Sequence, residues 1–159
     1  DISLGRQPTG NANRFRTAFD VVYQPGTLTA ISFTEGQEVS RAVITTAGSP
    51  ASIRLTADKT QARADGQSLV HVIVEILDAQ GRIVMLDDRP ATAELTGAAQ
   101  LMAFGNGRPI TAENYTTGRF KSYLGRWAAI LRTTPEAGEA RLTVTAEGLE
   151  PVSLTIQTK

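Results

Sequence analysis

Apolar and polar positions alternate along most of this chain, and turn residues interrupt the alternation about every 8 to 12 residues, the rhythm of short antiparallel strands. The clearest run is Leu69 to Leu77, where Val70, Val72, Val74 and Ile76 share one face. All four are β-branched, so the run predicts a strand with that face in a core. Its other face carries His71 and Glu75 among Leu69, Ile73 and Leu77. Asp78-Ala79-Gln80-Gly81 then supplies a hairpin turn, with Gly where a positive φ is wanted, and Arg82 to Leu86 is expected to return as a strand. Further strands are predicted at Ile53 to Ala57, Thr92 to Thr96, Gln100 to Phe104, Arg126 to Arg132, Ala140 to Glu147 and Val152 to Thr158. Together they predict an all-β fold, an immunoglobulin-like sandwich, over 48–159.

The first part of the chain is patterned differently. Arg14 to Val22 alternates, with Phe15 and Phe19 among its apolar positions. Thr27 to Phe33 is β-branched, and Glu35-Gly36-Gln37 closes a hairpin into Val39 to Thr45. Asp1 to Arg6 reads as the second half of a hairpin whose first half is absent, so the chain is expected to be a piece of a longer protein. Four short strands are too few for a closed sandwich, and 1–47 is expected to be the end of a truncated immunoglobulin-like sandwich. Its cut edge, lacking a partner for Ile2 to Arg6, is expected to make the first 46 residues self-associate or to leave them partly disordered. Ala47-Gly48-Ser49-Pro50-Ala51 reads as a short, stiff linker.

Charge excludes some functions. Lys plus Arg equals Asp plus Glu at 16 each, with four acids and four bases before Gly48 and twelve of each after it. Bulk-charge attraction to nucleic acid or a membrane surface is therefore not expected. No stretch approaches the roughly 20 apolar residues that span a bilayer. There is no Cys, which rules out disulfides and thiolate metal sites. The one His, His71, lies four residues from Glu75, about 13 Å along a strand and too far for a catalytic hydrogen bond. Asp87-Asp88 and the acids Asp58, Asp65 and Asp78 sit at strand ends and turns, where Asp bonds its own backbone. No catalytic residue, metal site or cofactor is expected.

One segment is unlike a plain sandwich. Phe104 to Trp127 holds five of the nine aromatic residues, and from Phe104 to Arg132 there are five bases against one acid, Glu113. Asn106, Arg108, Tyr115, Arg119, Phe120, Tyr123, Arg126 and Trp127 are the candidate contact residues. Their rings can stack on sugars while Arg and Asn donate hydrogen bonds; the competing reading is that they anchor a long connection or meet a neighbouring domain.

Ser3 to Arg6, Arg14 to Arg16, Val22 to Ala30 and Thr46 to Leu55 in this order and spacing resemble the C-terminal region of bacterial β-galactosidases of glycoside hydrolase family 2. Ala64 to Gln67, the Glu75 to Gly81 hairpin, Phe104 to Pro109, Gly125-Arg126 and Thr143 to Leu149 fit the same pattern. Trp127 departs from it, standing where a small residue is expected. The resemblance implies a parent that hydrolyses terminal β-galactosides with retention, through two Glu about 5 to 5.5 Å apart on a barrel of about 250 residues. Neither the barrel nor its catalytic motifs lie in this chain. The implied role is non-catalytic: bracing the barrel and shaping access to it, with the barrel and other parent domains as partners. A carbohydrate-binding module for galactosides or polysaccharides is the alternative. So is an adhesin-like spacer, since the second domain also resembles invasin-type immunoglobulin-like repeats through Ala64 to Gly66, the Asp78 to Gly81 turn and Gly138 to Ala146.

Overall fold

The computed structural model describes residues 2–159, which fall into two compact units that divide between Thr46 and Ala47. In the first unit, β1 (Thr27–Thr34) and β2 (Gln37–Thr45) pair antiparallel around Glu35-Gly36, with a bulge at Ser32/Phe33. Two expected strands do not form. Ile2 to Arg6 is irregular, and Asp1 lies outside the described residues. Arg14 to Val22 is irregular as well. A 3₁₀ turn at Asn11–Asn13 precedes it, and Arg14 and Phe15 take left-handed φ values of 53° and 57°. Alternation specifies a strand only where a neighbouring strand offers a ladder, and neither segment has one among the described residues. The edge expected to drive self-association at Ile2 to Arg6 is therefore absent; the free edges of this unit belong to β1 and β2.

The second unit is an immunoglobulin-like β-sandwich. One sheet has four strands in the order β3 (Pro50–Ala57), β5 (Leu69–Asp78), β9 (Arg126–Thr133) and β7 (Ala99–Gly105). The other has five, in the order β4 (Gln61–Ala62), β11 (Val152–Thr158), β10 (Gly138–Ala146), β6 (Pro90–Gly97) and β8 (Arg119–Lys121). All pairings are antiparallel except the short β4–β11 contact. The β5 face carrying Val70, Val72, Val74 and Ile76 is fully buried, as the alternation predicts. Against it pack Trp127, Ala129 and Leu131 of β9 and Phe104 of β7. Across the sandwich lie Ala91, Ala93, Phe120, Leu142, Val144 and Ile156.

Arg82 to Leu86 is not a strand. It makes one isolated bridge, Leu77 to Ile83, because this segment carries the chain from one sheet to the other before β6. The three-residue β8 is a strand that alternation missed.

Phe104 and Trp127 stack with ring centroids 6.2 Å apart, and the Trp127 indole Nε1–H donates to the Phe120 carbonyl at 2.9 Å. That bond joins β9 of one sheet to β8 of the other. Trp127→Ala is expected to cost about 3–5 kcal/mol by urea unfolding, as a large buried ring is lost. Trp127→Phe, which keeps a ring but orphans the Phe120 carbonyl, is expected to cost about 1–3 kcal/mol.

Candidate functional site

The strand register gathers the longest connections at one end of the sandwich. β3 begins at Pro50 opposite Asp78, where β5 ends; β9 begins at Arg126 opposite Glu75; β7 ends at Gly105 opposite Ala128. In the other sheet, β6 begins at Pro90 opposite Lys121 and β10 ends at Ala146 opposite Ala91. Segments 79–89, 106–118, 122–125 and 147–151 therefore share this end with Gly48, where the chain arrives from the first unit. It is the proximal end of the sandwich.

The 106–118 segment is held by its own bonds. Asn106 Nδ2 donates to the Lys121 carbonyl at 2.8 Å, and its Oδ1 accepts from the Arg108 N–H. Glu113 Oε1 accepts the Lys121 N–H at 2.9 Å. Asn114 turns the chain by accepting from Thr116 N–H and Oγ1. The Tyr115 carbonyl accepts the Phe104 N–H at 2.8 Å, and the Tyr115 ring stacks on Phe120 at 4.7 Å. That ring fills the place a side chain at Gly105 would need, so the segment closes the open side between edge strands β7 and β8. The turn after β8 has Leu124 and Gly125 at φ 52° and 67°, the geometry of a tight two-residue hairpin. Gly125 is required twice over, because a Cβ there would collide with the Val84 carbonyl.

The eight candidate residues do not form one surface. Phe120 and Trp127 are each 1% exposed and belong to the core, so neither ring is offered to a sugar or a neighbouring domain. Alternation along β8 and β9 turns them inward and their neighbours outward. Arg119 lies on the outer face of the five-stranded sheet, in a shallow depression with Pro90, Thr92, Thr145 and Glu147. Arg126 lies on the outer face of the other sheet, beside a groove lined by Ile73, Asn106, Gly107 and Ala128. Arg108 and half-buried Tyr123 meet at the proximal end, the guanidinium 5.8 Å from the ring centre.

Sequence reasoning missed the apolar side chains at that end. Leu86 is 90% exposed and Ile110 88%, with Met85 and Leu124 also exposed. The 83–84 stretch abuts Gly125, and Ser122 Oγ donates to the Asp87 carbonyl at 2.6 Å, which brings the 79–89 and 122–125 segments together. Single exposed apolar residues between turns carry no periodic signal, so only the fold could group them.

The acids have structural partners. Glu75 sits between Arg54 (2.6 Å) and Arg126 (3.1 Å), in a row of directly opposed residues on β3, β5 and β9. Burial pushes its carboxyl up, but the two guanidinium groups outweigh this and hold it below the usual range. Asp87 is likewise opposed by burial and lowered by Arg89. Asp65 accepts from the Gln67 and Ser68 N–H groups and the hydroxyls of Ser68 and Thr133, which lower it to about 2. His71 Nδ1 lies 3.4 Å from Asp58 Oδ2 on the exposed face of the interior strand β5, and its partner is Asp58 rather than Glu75. Among the described residues no three His, Cys, Asp or Glu converge as a metal site would need, and no helix is long and apolar enough to cross a membrane. At this end Asp78, Asp87 and Glu113 hold turns and loops through bonds to backbone N–H groups.

An all-β sandwich with an ordered, loop-rich end is the class of structure in hand, and comparison with known proteins gives its kinship. The profile of the glycoside hydrolase family 2 C-terminal domain 5 matches residues 53–155, and a domain of unknown function, DUF4982, matches residues 1–40. The chain belongs to this family of glycoside hydrolase family 2 C-terminal domains. It is 33% identical over 144 residues to the beta-galactosidase BoGH2A of Bacteroides ovatus, covering 91% of this chain and 17% of that protein. A glycosyl hydrolase family 2 member from Bacteroides cellulosilyticus superposes with a TM-score of 0.92 at 29% identity, over 98% of this chain and 20% of that one. A beta-glucuronidase from glycoside hydrolase family 2 shares the fold, with a TM-score of 0.78 at 23% identity over 89% of this chain and 15% of that one. The chain spans 14–17% of the length of the curated relatives it matches.

The lowered carboxyls fix the sign of the acid response. A group whose folded pKa lies below its unfolded value stabilises the fold above the unfolded pKa, and that contribution is lost as pH falls through the folded one. Thermal melts are expected to be level above about pH 5 and to fall between about pH 4 and pH 2 as Asp65 protonates, and loss of the Glu75 charge at low pH acts in the same direction. Asp65→Asn is expected to lower the melting temperature at pH 7 and to flatten part of that slope.

Proposed function

We propose that this chain is a non-catalytic C-terminal part of a β-galactosidase-type glycoside hydrolase, bracing the catalytic barrel of its parent and shaping access to it. The parent would hydrolyse terminal β-galactosides. The supporting kinship is the 33% identity to a β-galactosidase, while a β-glucuronidase shares the fold, so the preferred sugar is set in the parent's barrel. In this reading residues 1–47 are the last part of one immunoglobulin-like domain and 48–159 the next.

The observation that carries the bracing role is the proximal end. An ordered set of loops, tied by at least four side-chain hydrogen bonds to backbone, presents Leu86 and Ile110 almost fully to solvent beside Arg108 and Tyr123. Exposed apolar side chains on a rigid frame, rimmed by polar groups, are the composition of a contact surface. The carbohydrate-binding alternative loses Trp127, which is buried with Phe120, and keeps the exposed ring of Tyr115 and the groove at Ile73, Asn106 and Arg126. The adhesin-like alternative keeps its motif resemblance at Ala64 to Gly66, the Asp78 to Gly81 turn and Gly138 to Ala146, to which the D00-D0 domain of intimin, with a TM-score of 0.50 at 16% identity, adds a likeness of fold alone.

The test is Leu86→Ser with Ile110→Ser, made both in this chain and in the full-length enzyme. In the isolated chain the pair is expected to change stability by no more than about 0.5 kcal/mol per site, as surface substitutions do. In the full-length enzyme it is expected to lower the melting temperature and raise the KM for a β-galactoside. Full-length stability, oligomeric state and kinetics all unchanged would defeat the bracing role. Calorimetric binding of galactosides by the isolated chain, abolished by Asn106→Ala, would favour the carbohydrate-binding alternative.

A further inference from the structure

The outer face of the four-stranded sheet carries a charge that its own acids do not balance. Arg54, Glu75 and Arg126 are directly opposed on β3, β5 and β9. Arg54 donates its Nε–H and an Nη2–H to Glu75 Oε2 at 3.0 and 2.6 Å, and Arg126 donates its Nε–H to Oε1 at 3.1 Å. One carboxylate thus serves two guanidinium groups, and the row keeps a positive charge. The acid Asp58, at the end of β3, is engaged by the His71 N–H and ring. A guanidinium has five N–H donors; Arg126 uses its Nε–H, and both its Nη groups lack a partner among the described residues. The Arg126 side chain is 42% exposed and that of Glu75 11%, so the carboxylate is sheltered while the guanidinium reaches solvent.

The groove beside Arg126 is apolar. Ile73 and Ala128 are directly opposed on β5 and β9, two residues along from the Glu75–Arg126 pair and on the same face, and Gly107 lines the groove with them. A side chain at Gly107 would meet nothing within 4 Å, Ala128 is short, and Ile73 is exposed, so the floor is an open shelf rather than a socket. Asn106 gives an amide hydrogen to the Lys121 carbonyl, and its oxygen accepts the Arg108 N–H. Arg126 is the one charged residue among those lining the groove.

We infer that this groove is a binding site for a carboxylated sugar, a uronate whose ring lies on Ile73 and Ala128 and whose carboxylate takes the Nη groups of Arg126. A pyranose ring has a face of C–H groups, which suits an open aliphatic shelf. A uronate sets its carboxylate at the edge of that ring, where a guanidinium can hold it through two parallel bonds. A carboxylate neutralises the row, and a neutral sugar does not. An acidic side chain from a protein partner brings the same charge, but its narrow methylene stem covers little of an open shelf, so the ring is the better match. Glu75 is then a positioning residue: it holds Arg126 by Nε and leaves both Nη groups to the ligand. The site lies wholly within the sandwich and does not depend on the bracing role.

The test is an NMR titration of the ¹⁵N-labelled 159-residue chain with methyl β-glucuronide and, in parallel, methyl β-glucoside, which has CH₂OH in place of the carboxylate. The glucuronide is expected to shift the Gly107 amide and the Arg126 Nε–H saturably, to bind about tenfold or more tighter than the glucoside, and to weaken as salt is raised. Arg126→Gln is expected to weaken glucuronide binding about tenfold, whereas Arg141→Gln, on β10 of the other sheet, leaves it unchanged. The two sugars are compared on the unaltered chain, so the test survives a variant that fails to fold. Equal affinity for the two sugars, no saturable shift, or shifts confined to residues away from Gly107 and Arg126 would overturn the inference. So would sodium acetate binding as tightly as the glucuronide, since the shelf would then contribute nothing. In the full-length enzyme, calorimetric binding of the glucuronide that Arg126→Gln leaves unaltered would assign the groove to a carboxylate of the parent and overturn the sugar. None of these outcomes involves Leu86 or Ile110, so the bracing role stands or falls separately.

Discussion

Trp127 spans the space between the two sheets and ends on the carbonyl of Phe120, and this contact decides how the aromatic and basic segment is used. The ring stacks on Phe104 of its own sheet, while the indole N–H satisfies a backbone group of the three-residue β8 in the other. A buried indole without a partner for its N–H would be costly, and so would a buried carbonyl without a donor. Each meets the other's need at the point where a three-residue edge strand of the larger sheet would otherwise be weakly held. Phe120, fixed in this way, becomes the platform on which Tyr115 stacks. Tyr115 in turn brings 106–118 down over the open side of the sandwich.

From that anchor follows the character of the proximal end. A long connection is usually mobile unless something holds it, because ordering each residue costs backbone entropy. Here Asn106, Glu113, Asn114 and Thr117 hold it through local bonds to backbone, and the Tyr115 ring pins its far end. An ordered loop can present Ile110 and Arg108 in fixed positions, which a mobile one cannot. The kinship with glycoside hydrolase family 2 C-terminal domains gives such a surface a setting, since the chain is a small share of the relatives it matches. On the other flank, Arg54, Glu75 and Arg126 tie three adjacent strands in one row, so the sheet that ends in these loops is braced from outside as well as from its core.

The sandwich strands were largely legible, because a strand with one face in a core writes its register into the chain. Val70 to Ile76 shows this most plainly, and its buried face is the one the alternation predicts. Legibility failed where alternation lacked a neighbour. Arg14 to Val22 has the pattern and no ladder, and two left-handed residues turn it away from extension. Arg82 to Leu86 has the pattern and is spent on crossing between sheets. Conversely, β8 is too short to show a period and exists because Pro90 to Thr92 offers it an edge.

The sequence by itself determined the all-β class, the second unit as an immunoglobulin-like sandwich, the turns at Glu35-Gly36 and Asp78 to Gly81, and the kinship with the C-terminal region of a glycoside hydrolase. These depend on local periodicity, on residues suited to positive φ, and on the order of short motifs, all of which can be read without knowing what lies across the core. Tertiary structure alone decided which members of the Phe104 to Trp127 segment face solvent. It buried the two rings best suited to stacking on a ligand and set Arg119 and Arg126 on opposite faces. It also gathered Met85, Leu86, Ile110 and Leu124 at one end. Burial and convergence are set by partners dozens of residues away, and a single strand's pattern says which residues share a face but not what that face will meet.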